Sequence, residues 1–343
     1  MSTDMKEINW SNLGFGYIKT NFNARCEYHD GKWGEIVLSS DETYPIHIAA
    51  TSLHYGQEIF EGAKVFRGVD GKARFFRIEE NARRMKQSAD YLLMAAPSED
   101  LFIKVCEEAV RANAEFIPPY GTGASLYVRP LLIGITAEVG VKSANDYLFI
   151  VFVTPVGPYF KEGFAPMDVV LEKLHDRAAP RGTGHAKVGG NYAASIKAGA
   201  DAHHKGFSNE LYLDAAEQKY IDEFGAANFF GIKNGTYVTP DSNSVLGSIT
   251  NKSLRSLAKD LGLKVENRKI EYEKEIGTFE EIGACGTAAV ISPIGRLYDP
   301  NKDIWYEYDA PGKYSTKMFH MLQDIQYGRA EDVHGWNRII EGI

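Results

Sequence analysis

Three dipeptides between short runs of strand-forming residues constrain the fold of this 343-residue chain more than any other feature: Asp30-Gly31, Asp70-Gly71 and Asn234-Gly235. Asp-Gly and Asn-Gly accept the positive φ of tight hairpin turns, so each predicts an antiparallel strand pair. The clearest case is 64–76, where KVFRG and KARFF flank Val69-Asp70-Gly71. A chain punctuated in this way does not build a purely parallel, doubly wound sheet. Two apolar segments, 125–136 and 146–154, read as buried strands, the second covered on both faces.

Helical patterns are interspersed with these strands. Residues 79–94 carry Met85, Ala89, Leu92 and Leu93 on one side. Ser98 is placed to cap a helix running to about 116, before Pro118-Pro119. Further helices are expected over 191–205, closed by Gly206, over 250–261 and over 314–326. The class is therefore mixed α/β, of the α+β kind. At roughly 100–200 residues per domain the length implies two domains, and Pro155-Val156-Gly157-Pro158 marks the boundary between them.

Composition removes several functions. With 46 acidic against 38 basic residues the formal charge is −8, whereas tracking phosphates needs a basic face, so on charge alone nucleic acid is not an expected partner. Cys26, Cys106 and Cys285 are isolated, too few and too scattered for a disulfide framework or a structural zinc site, and reduced, buried thiols are expected. The most apolar run, 147–153, is far short of the ~20 residues that cross a bilayer. The opening MSTDMKEINW has no apolar stretch of the signal-peptide kind. The expectation is a soluble, cytoplasmic protein with no membrane partner.

Common catalytic signatures are missing. Gly312-Lys313 is followed by Tyr314 and has no upstream glycine at P-loop spacing, and Gly121-Thr122-Gly123 and Gly182-Thr183-Gly184 lack the third glycine of a dinucleotide loop. No HExxH or GxSxG occurs, His203-His204 point different ways on a helix, and no metal is expected. What stands out is Arg181-Gly-Thr-Gly-His-Ala-Lys187-Val-Gly-Gly-Asn-Tyr192, a lysine between glycine pairs just before an Ala-rich helix. Glycines admit a flat ligand or a second backbone, and a lysine held there is either a desolvated nucleophile or a solvated loop residue.

Other segments extend this pattern. They are Leu53-His-Tyr-Gly-Gln-Glu-Ile-Phe-Glu-Gly62, Lys64-Val-Phe-Arg-Gly-Val-Asp-Gly71, Asn81-Ala-Arg-Arg84-Met, Ser125-Leu-Tyr-Val-Arg-Pro130 and Pro155-Val-Gly-Pro-Tyr-Phe160. Glu223-Phe-Gly-Ala-Ala-Asn-Phe229, Leu246-Gly-Ser-Ile-Thr250, Gly286-Thr-Ala-Ala289 and Asp324-Ile-Gln-Tyr-Gly328 follow. In content and order, from about residue 13 to 328, the chain resembles the fold type IV pyridoxal-phosphate enzymes, and among them the branched-chain-amino-acid aminotransferases.

The resemblance implies a two-domain fold of the D-amino-acid aminotransferase-like kind, with a smaller domain over 1–155, an interdomain loop over 156–165 bearing Tyr159, and a larger cofactor-binding domain over 166–343. It implies pyridoxal 5'-phosphate as cofactor, with Lys187 as the lysine that carries it and shuttles the substrate proton. Glu223 matches the carboxylate facing the ring nitrogen, Arg84 the phosphate-binding arginine, and Tyr192 the partner of the phenolic oxygen. Ile249, Thr250 and Thr287 match further phosphate contacts. Tyr55, Arg129 and the Thr287-Ala288 backbone lie where the family meets the substrate α-carboxylate, and Phe60, Tyr127 and Tyr159 where it forms the apolar side-chain pocket. The implied substrates are L-leucine, L-isoleucine, L-valine, their 2-oxo acids, L-glutamate and 2-oxoglutarate, and the implied assembly is a homodimer whose sites borrow residues across the interface.

The N-terminal part, including Phe15-Gly16, resembles the eukaryote-like subgroup, but the CxxC that some animal members carry after the Gly-Thr-Ala turn is replaced by Ala288-Ala-Val-Ile-Ser-Pro293. Two other activities share this fold, D-amino-acid transamination and aminodeoxychorismate lysis; the Leu53-His-Tyr-Gly56 and Tyr127-Val-Arg-Pro130 blocks side with the branched-chain branch. A pseudo-enzyme that binds the cofactor or amino acids as a signal is the reading from another class, set against the presence of every residue expected to do chemistry.

Overall fold

The computed structural model describes residues 8–159 and 164–343. Phe160 and residues 160–163 of the expected interdomain loop lie outside the described residues. The chain divides into two compact units. The first holds the residues up to Pro158 together with Ala186–Gly189 and Ile325–Ile343, and the second holds Tyr159–His185 and Gly190–Asp324.

The first unit is built on an antiparallel sheet of β1 (Asn23–His29), β2 (Lys32–Trp33), β3 (Val37–Ser39), β4 (Glu58–Phe60), β5 (Ala63–Arg67), β6 (Ala73–Phe76), β7 (Ser125–Gly134) and β8 (Tyr147–Val156). The Asp30-Gly31 turn forms as its chemistry predicts: φ is 49° and 78° at its two residues, and Tyr28 pairs with Trp33 across it. The Asp70-Gly71 segment likewise joins β5 to β6. Helices α1 (Thr51–Tyr55), α2 (Ile78–Tyr91) and α3 (Glu99–Arg111) belong to this unit, whose core includes Ile59, Val65, Phe75, Met85, Phe102, Cys106 and Phe149.

Two helices stop short of the lengths their patterns suggest. In α2 the left-handed Leu93 (φ 53°) turns the chain, and Met94 N–H donates back to Ala89 O. Ser98 caps α3 by accepting from Leu101 N–H, but the helix ends at Arg111 rather than near 116. Asn113 is the reason. Its side chain donates to Ala109 O, the acceptor a continuing helix would assign to the backbone, and its Oδ1 accepts from Asn21 and Phe22 N–H.

Two segments expected in the second domain join the first unit instead. Asn337–Ile339 adds antiparallel to β6, with Ile340 N–H donating to Ala73 O. Val188 bridges Ile59, and Phe60 N–H donates to Lys187 O. Backbone pairing thus overrides chain order at 186–189 and 325–343.

The second unit contains β9 (Met167–Glu172), β10 (Asn209–Leu213), β11 (Ile221–Phe224), β12 (Asn228–Lys233), β13 (Thr236–Pro240), β14 (Lys264–Arg268), β15 (Glu281–Gly286), β16 (Val290–Asp299) and β17 (Ile304–Glu307). Eight of them run in the order β11-β10-β9-β16-β15-β12-β13-β14, β17 pairs with β16 off this path, and an added β11–β12 pairing closes six strands into a ring. The pairs β9–β10, β9–β16 and β13–β14 are parallel and the rest antiparallel, so the sheet is mixed. Leu211, Phe224, Phe229, Ile282 and Leu297 are among its buried residues. The Asn234-Gly235 turn joins β12 to β13 with φ of 48° and 68°. The helices are α4 (Gly189–His204), α5 (Ile249–Asp260), α6 (Tyr272–Glu275) and α7 (Lys313–Gln326). Among the described residues no helix is long and apolar enough to cross a membrane, and all three cysteines are free and buried.

Candidate active site

In the first unit the glycine-flanked lysine is held by its main chain. Lys187 N–H donates to Ser88 Oγ of α2 at 2.8 Å, and its carbonyl accepts from Phe60 N–H at 3.1 Å. With the Ile59–Val188 bridge alongside, the backbone of this loop is fixed while the long side chain extends from it. Lys187 Nζ lies 4.7 Å from the centroid of the Phe60 ring.

The same ring meets a second cation, with Arg129 Cζ 4.7 Å from its centroid. Tyr127 and Arg129 alternate along β7 and so share a face; Arg129 Nη2 donates to the Tyr127 hydroxyl at 3.1 Å. Gly62 leaves room for that hydroxyl, which a Cβ there would overlap. Arg129 Nε is buried and has no hydrogen-bond partner among the described residues. Phe60, Tyr127, Arg129 and Lys187, four of the residues singled out from sequence, are therefore brought together. Glu58 lies beside them. Its carboxyl is raised from the usual range by burial, against the opposing effects of Gly189 N–H and the Arg129 charge.

Arg84 is also buried, and its Nε–Nη2 edge forms a bidentate pair with Glu61 at 2.7 and 2.8 Å. Glu61 is fully buried and also accepts from Asn81 Nδ2 at 2.7 Å. Any phosphate role for Arg84 therefore falls to the opposite edge of its guanidinium. Arg83 points to the surface, pairing with Glu80 and Glu99. Tyr55 ends α1, is 40% exposed, and donates to Val139 O rather than to the Arg129 group.

In the second unit Glu223 sits on β11 with only 4% of its surface exposed. Its Oε1 faces Arg177 Nη2 at 2.7 Å and accepts from Leu246 N–H at 3.2 Å, and its Oε2 accepts from Asn228 Nδ2 at 2.8 Å. Arg177 is anchored in turn on the carbonyls of Ser244 and Gly184. Asn228 is the cross-strand partner of Glu223, and its Oδ1 accepts from Asn251 Nδ2 of α5.

The loop that starts at Leu246 runs directly into α5. Ser248 caps that helix by accepting from Asn251 N–H, and Ile249 and Thr250 open its first turn, where backbone N–H groups have no partner within the helix. One short loop thus joins a buried carboxylate to an anion-attracting helix end. Thr287 and Ala288 lie in the turn between β15 and β16, closed by Val290 at φ 59°. Tyr192 lies in the first turn of α4, and Tyr159 is 40% exposed.

The first unit therefore presents an amine, a guanidinium and an aromatic wall, and the second a fixed carboxylate and a helix N-terminus. Sequence reasoning passed over Glu58, Glu61, Arg177 and Asn228. Glu61 was within reach, because a buried arginine requires a counter-charge and Glu61 lies in a segment already singled out. Arg177 meets Glu223 only through the tertiary fold, and nothing local signals it.

Residues 58–297 match the family described as amino-transferase class IV. A branched-chain-amino-acid aminotransferase of Helicobacter pylori is 46% identical over 336 residues, covering 97% of this chain and 98% of that protein. One from Haemophilus influenzae is 44% identical over 340 residues, with the same coverage. Among solved structures, the Escherichia coli branched-chain amino acid aminotransferase superposes with a TM-score of 0.78 at 25% identity, covering 94% of this chain and 100% of that one. The branched-chain amino acid aminotransferase of Thermobaculum terrenum in its PLP form gives 0.77 at 22% identity, covering 94% and 99%.

Proposed function

The chain belongs to the class IV amino-transferases, and on that premise we propose that it is a branched-chain-amino-acid transaminase working with pyridoxal 5'-phosphate. It moves the amino group of L-leucine, L-isoleucine or L-valine to 2-oxoglutarate, giving L-glutamate and the 2-oxo acid, and runs in reverse. The supporting observation is the Leu246–Thr250 segment, which binds buried Glu223 at one end and opens α5 at the other. That donor set fits a flat ligand with a protonated ring nitrogen and a phosphate.

The chemistry such a group supplies when bound is an electron-accepting ring beside the substrate Cα. Glu223, paired with Arg177 at 2.7 Å, would face the ring nitrogen and favour its protonated form. Arg84, Thr287 and the N–H groups of Ile249 and Thr250 would hold its phosphate. Tyr192 would donate to its phenolic oxygen. Lys187 Nζ would hold the group and would move the proton at the substrate Cα.

Arg129, Tyr55 and the Thr287-Ala288 backbone receive the α-carboxylate, and Phe60, Tyr127 and Tyr159 wall the side-chain pocket. An aromatic pocket separates leucine, isoleucine and valine weakly, since one methylene is worth only ~1–3 kcal/mol. The Arg129 guanidinium against Phe60 and Tyr127 also suits the second carboxylate of glutamate.

Ile48, Leu53, Tyr55, Val139 and Val141 are exposed in the first unit, and the Tyr55–Val139 hydrogen bond ties the two segments together. A second copy of the chain covers this apolar surface in our reading, and light scattering should return twice the 38.2 kDa chain mass. Three buried thiols suit a cytoplasmic location.

The test is steady-state turnover of L-leucine with 2-oxoglutarate, set beside D-alanine. L-glutamate should form with L-leucine and wild-type protein alone, and not with Lys187→Ala. Turnover of D-alanine in place of L-leucine would move the protein to the D-amino-acid branch, and no turnover of either would leave a binding protein.

A further inference from the structure

The second unit contains a cavity of about 320 Å³ whose walls include Asp214, Glu217, Asp222, Asp241, Ser242 and Lys269. None of them has a place in the proposed reaction. Asp222 precedes Glu223 on β11, and successive strand residues point to opposite faces. Glu223 turns to the Leu246 loop and Asp222 to this cavity.

Asp222 is 5% exposed, and its Oδ1 has no hydrogen-bond partner among the described residues. The Ser242 hydroxyl beside the carboxyl favours its ionised form and itself accepts from Ser244 N–H at 3.2 Å. Leaving a buried carboxylate oxygen unpaired costs more than the ~1–3 kcal/mol of a neutral group.

The surrounding charges favour a cation. Four carboxylates line the cavity against one lysine. Asp214 already accepts from the N–H groups of Glu217, Lys219 and Tyr220, so it adds field but few open lone pairs. Lys269 lies 4.5 Å from the centroid of the Tyr220 ring and 3.9 Å from Glu217, and does not reach Asp222 Oδ1. Among the described residues no three His, Cys, Asp or Glu side chains are placed to hold a metal ion. A positively charged N–H donor of a size that fits the cavity matches this acidic lining.

We propose that this cavity binds a small primary ammonium compound, whose –NH3+ group donates to the Asp222 carboxyl beside Ser242 and Asp241. A simple amine and a zwitterionic amino acid share that chemistry; the carboxylate of the latter would meet Lys269.

The test uses the holoenzyme with its cofactor in the amine form, so that added amines have no aldehyde to condense with, and with the substrate pocket filled by saturating 4-methylvalerate. Binding of propylamine, L-alanine and tetramethylammonium is measured by calorimetry. Propylamine or L-alanine should bind, the tighter of the two identifying the source, and tetramethylammonium, which has no N–H, should bind at least about tenfold more weakly. Asp222→Asn should weaken binding about tenfold. Ser242→Ala and the exposed Asp241→Asn should weaken it about threefold, which keeps the test open if the first variant does not fold.

Affinity should also fall below about pH 6, where Asp222, pushed up to about 6 chiefly by burial, takes a proton. Glu223 raises and Arg177 lowers that carboxyl, and Asp214, Glu217, Asp241 and Lys269 face it from the cavity walls. The proposal is overturned if neither amine binds the wild type, if tetramethylammonium binds as well as propylamine, or if the Asp222 and Ser242 variants bind unchanged.

Discussion

Buried charge in this chain is arranged in pairs, and the pairs make specific demands on single residues. Glu61 and Arg84 are both buried and joined by two hydrogen bonds. Removing one partner strands the other, so Glu61→Met or Arg84→Met alone should each cost about 3–5 kcal/mol. The double variant Glu61→Met/Arg84→Met should lose less than the two singles together, which urea unfolding of the four proteins measures. Dialysis separates the roles of the pair: Arg84→Met should release the cofactor more readily than Glu61→Met, which keeps the guanidinium.

Glu210 is an exception, a buried carboxyl with no ion pair among the described residues. Burial pushes it up to about 7, with the Tyr212 hydroxyl and its own backbone N–H opposing and Glu172 adding to the rise. A folded-state value above the unfolded one contributes stability that is complete below about pH 4.5 and lost as pH rises through 7. Over that span the loss approaches about 3 kcal/mol. Glu210→Gln keeps the shape and the Tyr212 hydrogen bond, so its unfolding midpoint should change little from pH 5 to 8 and exceed that of the wild type at pH 8.

At the scale of elements, what the chain makes local is what the sequence announces. Asp30-Gly31 and Asn234-Gly235 carry their turn geometry in two residues, and Ser98 caps α3 within one turn. The lysine loop, the Glu223 strand and the Leu246–Thr250 helix entry were legible because each is a contiguous segment. The early end of α3 was not, since it depends on Asn113 meeting residues 21 and 22. Closure of the second sheet through β11 and β12 was illegible for the same reason, as was Arg177 meeting Glu223. Gly184 belongs to this non-local group. A Cβ there would overlap the Ser244 carbonyl, and both residues supply carbonyls that anchor Arg177. Gly184→Ala should displace that anchor and lower kcat for L-leucine at least about tenfold, while Gly190→Ala, where a Cβ meets open space, should leave kcat within about twofold.

For the whole molecule, chain order and spatial order part company at two places. Residues 186–189 and 325–343 belong with the first unit, so Lys187 is held by β4 and α2 while the helix that follows it belongs to the second. The central claim is that this lysine, with Glu223 and Arg84, equips the molecule for transamination of branched-chain L-amino acids. The visible spectrum of the purified, cofactor-loaded protein tests it most directly, recorded before and after L-leucine, with D-alanine as comparison. L-leucine alone should convert the cofactor band to that of the amine form, and Lys187→Ala should show no such conversion. Conversion by D-alanine and not by L-leucine, or no cofactor band after reconstitution with pyridoxal phosphate, would contradict the account.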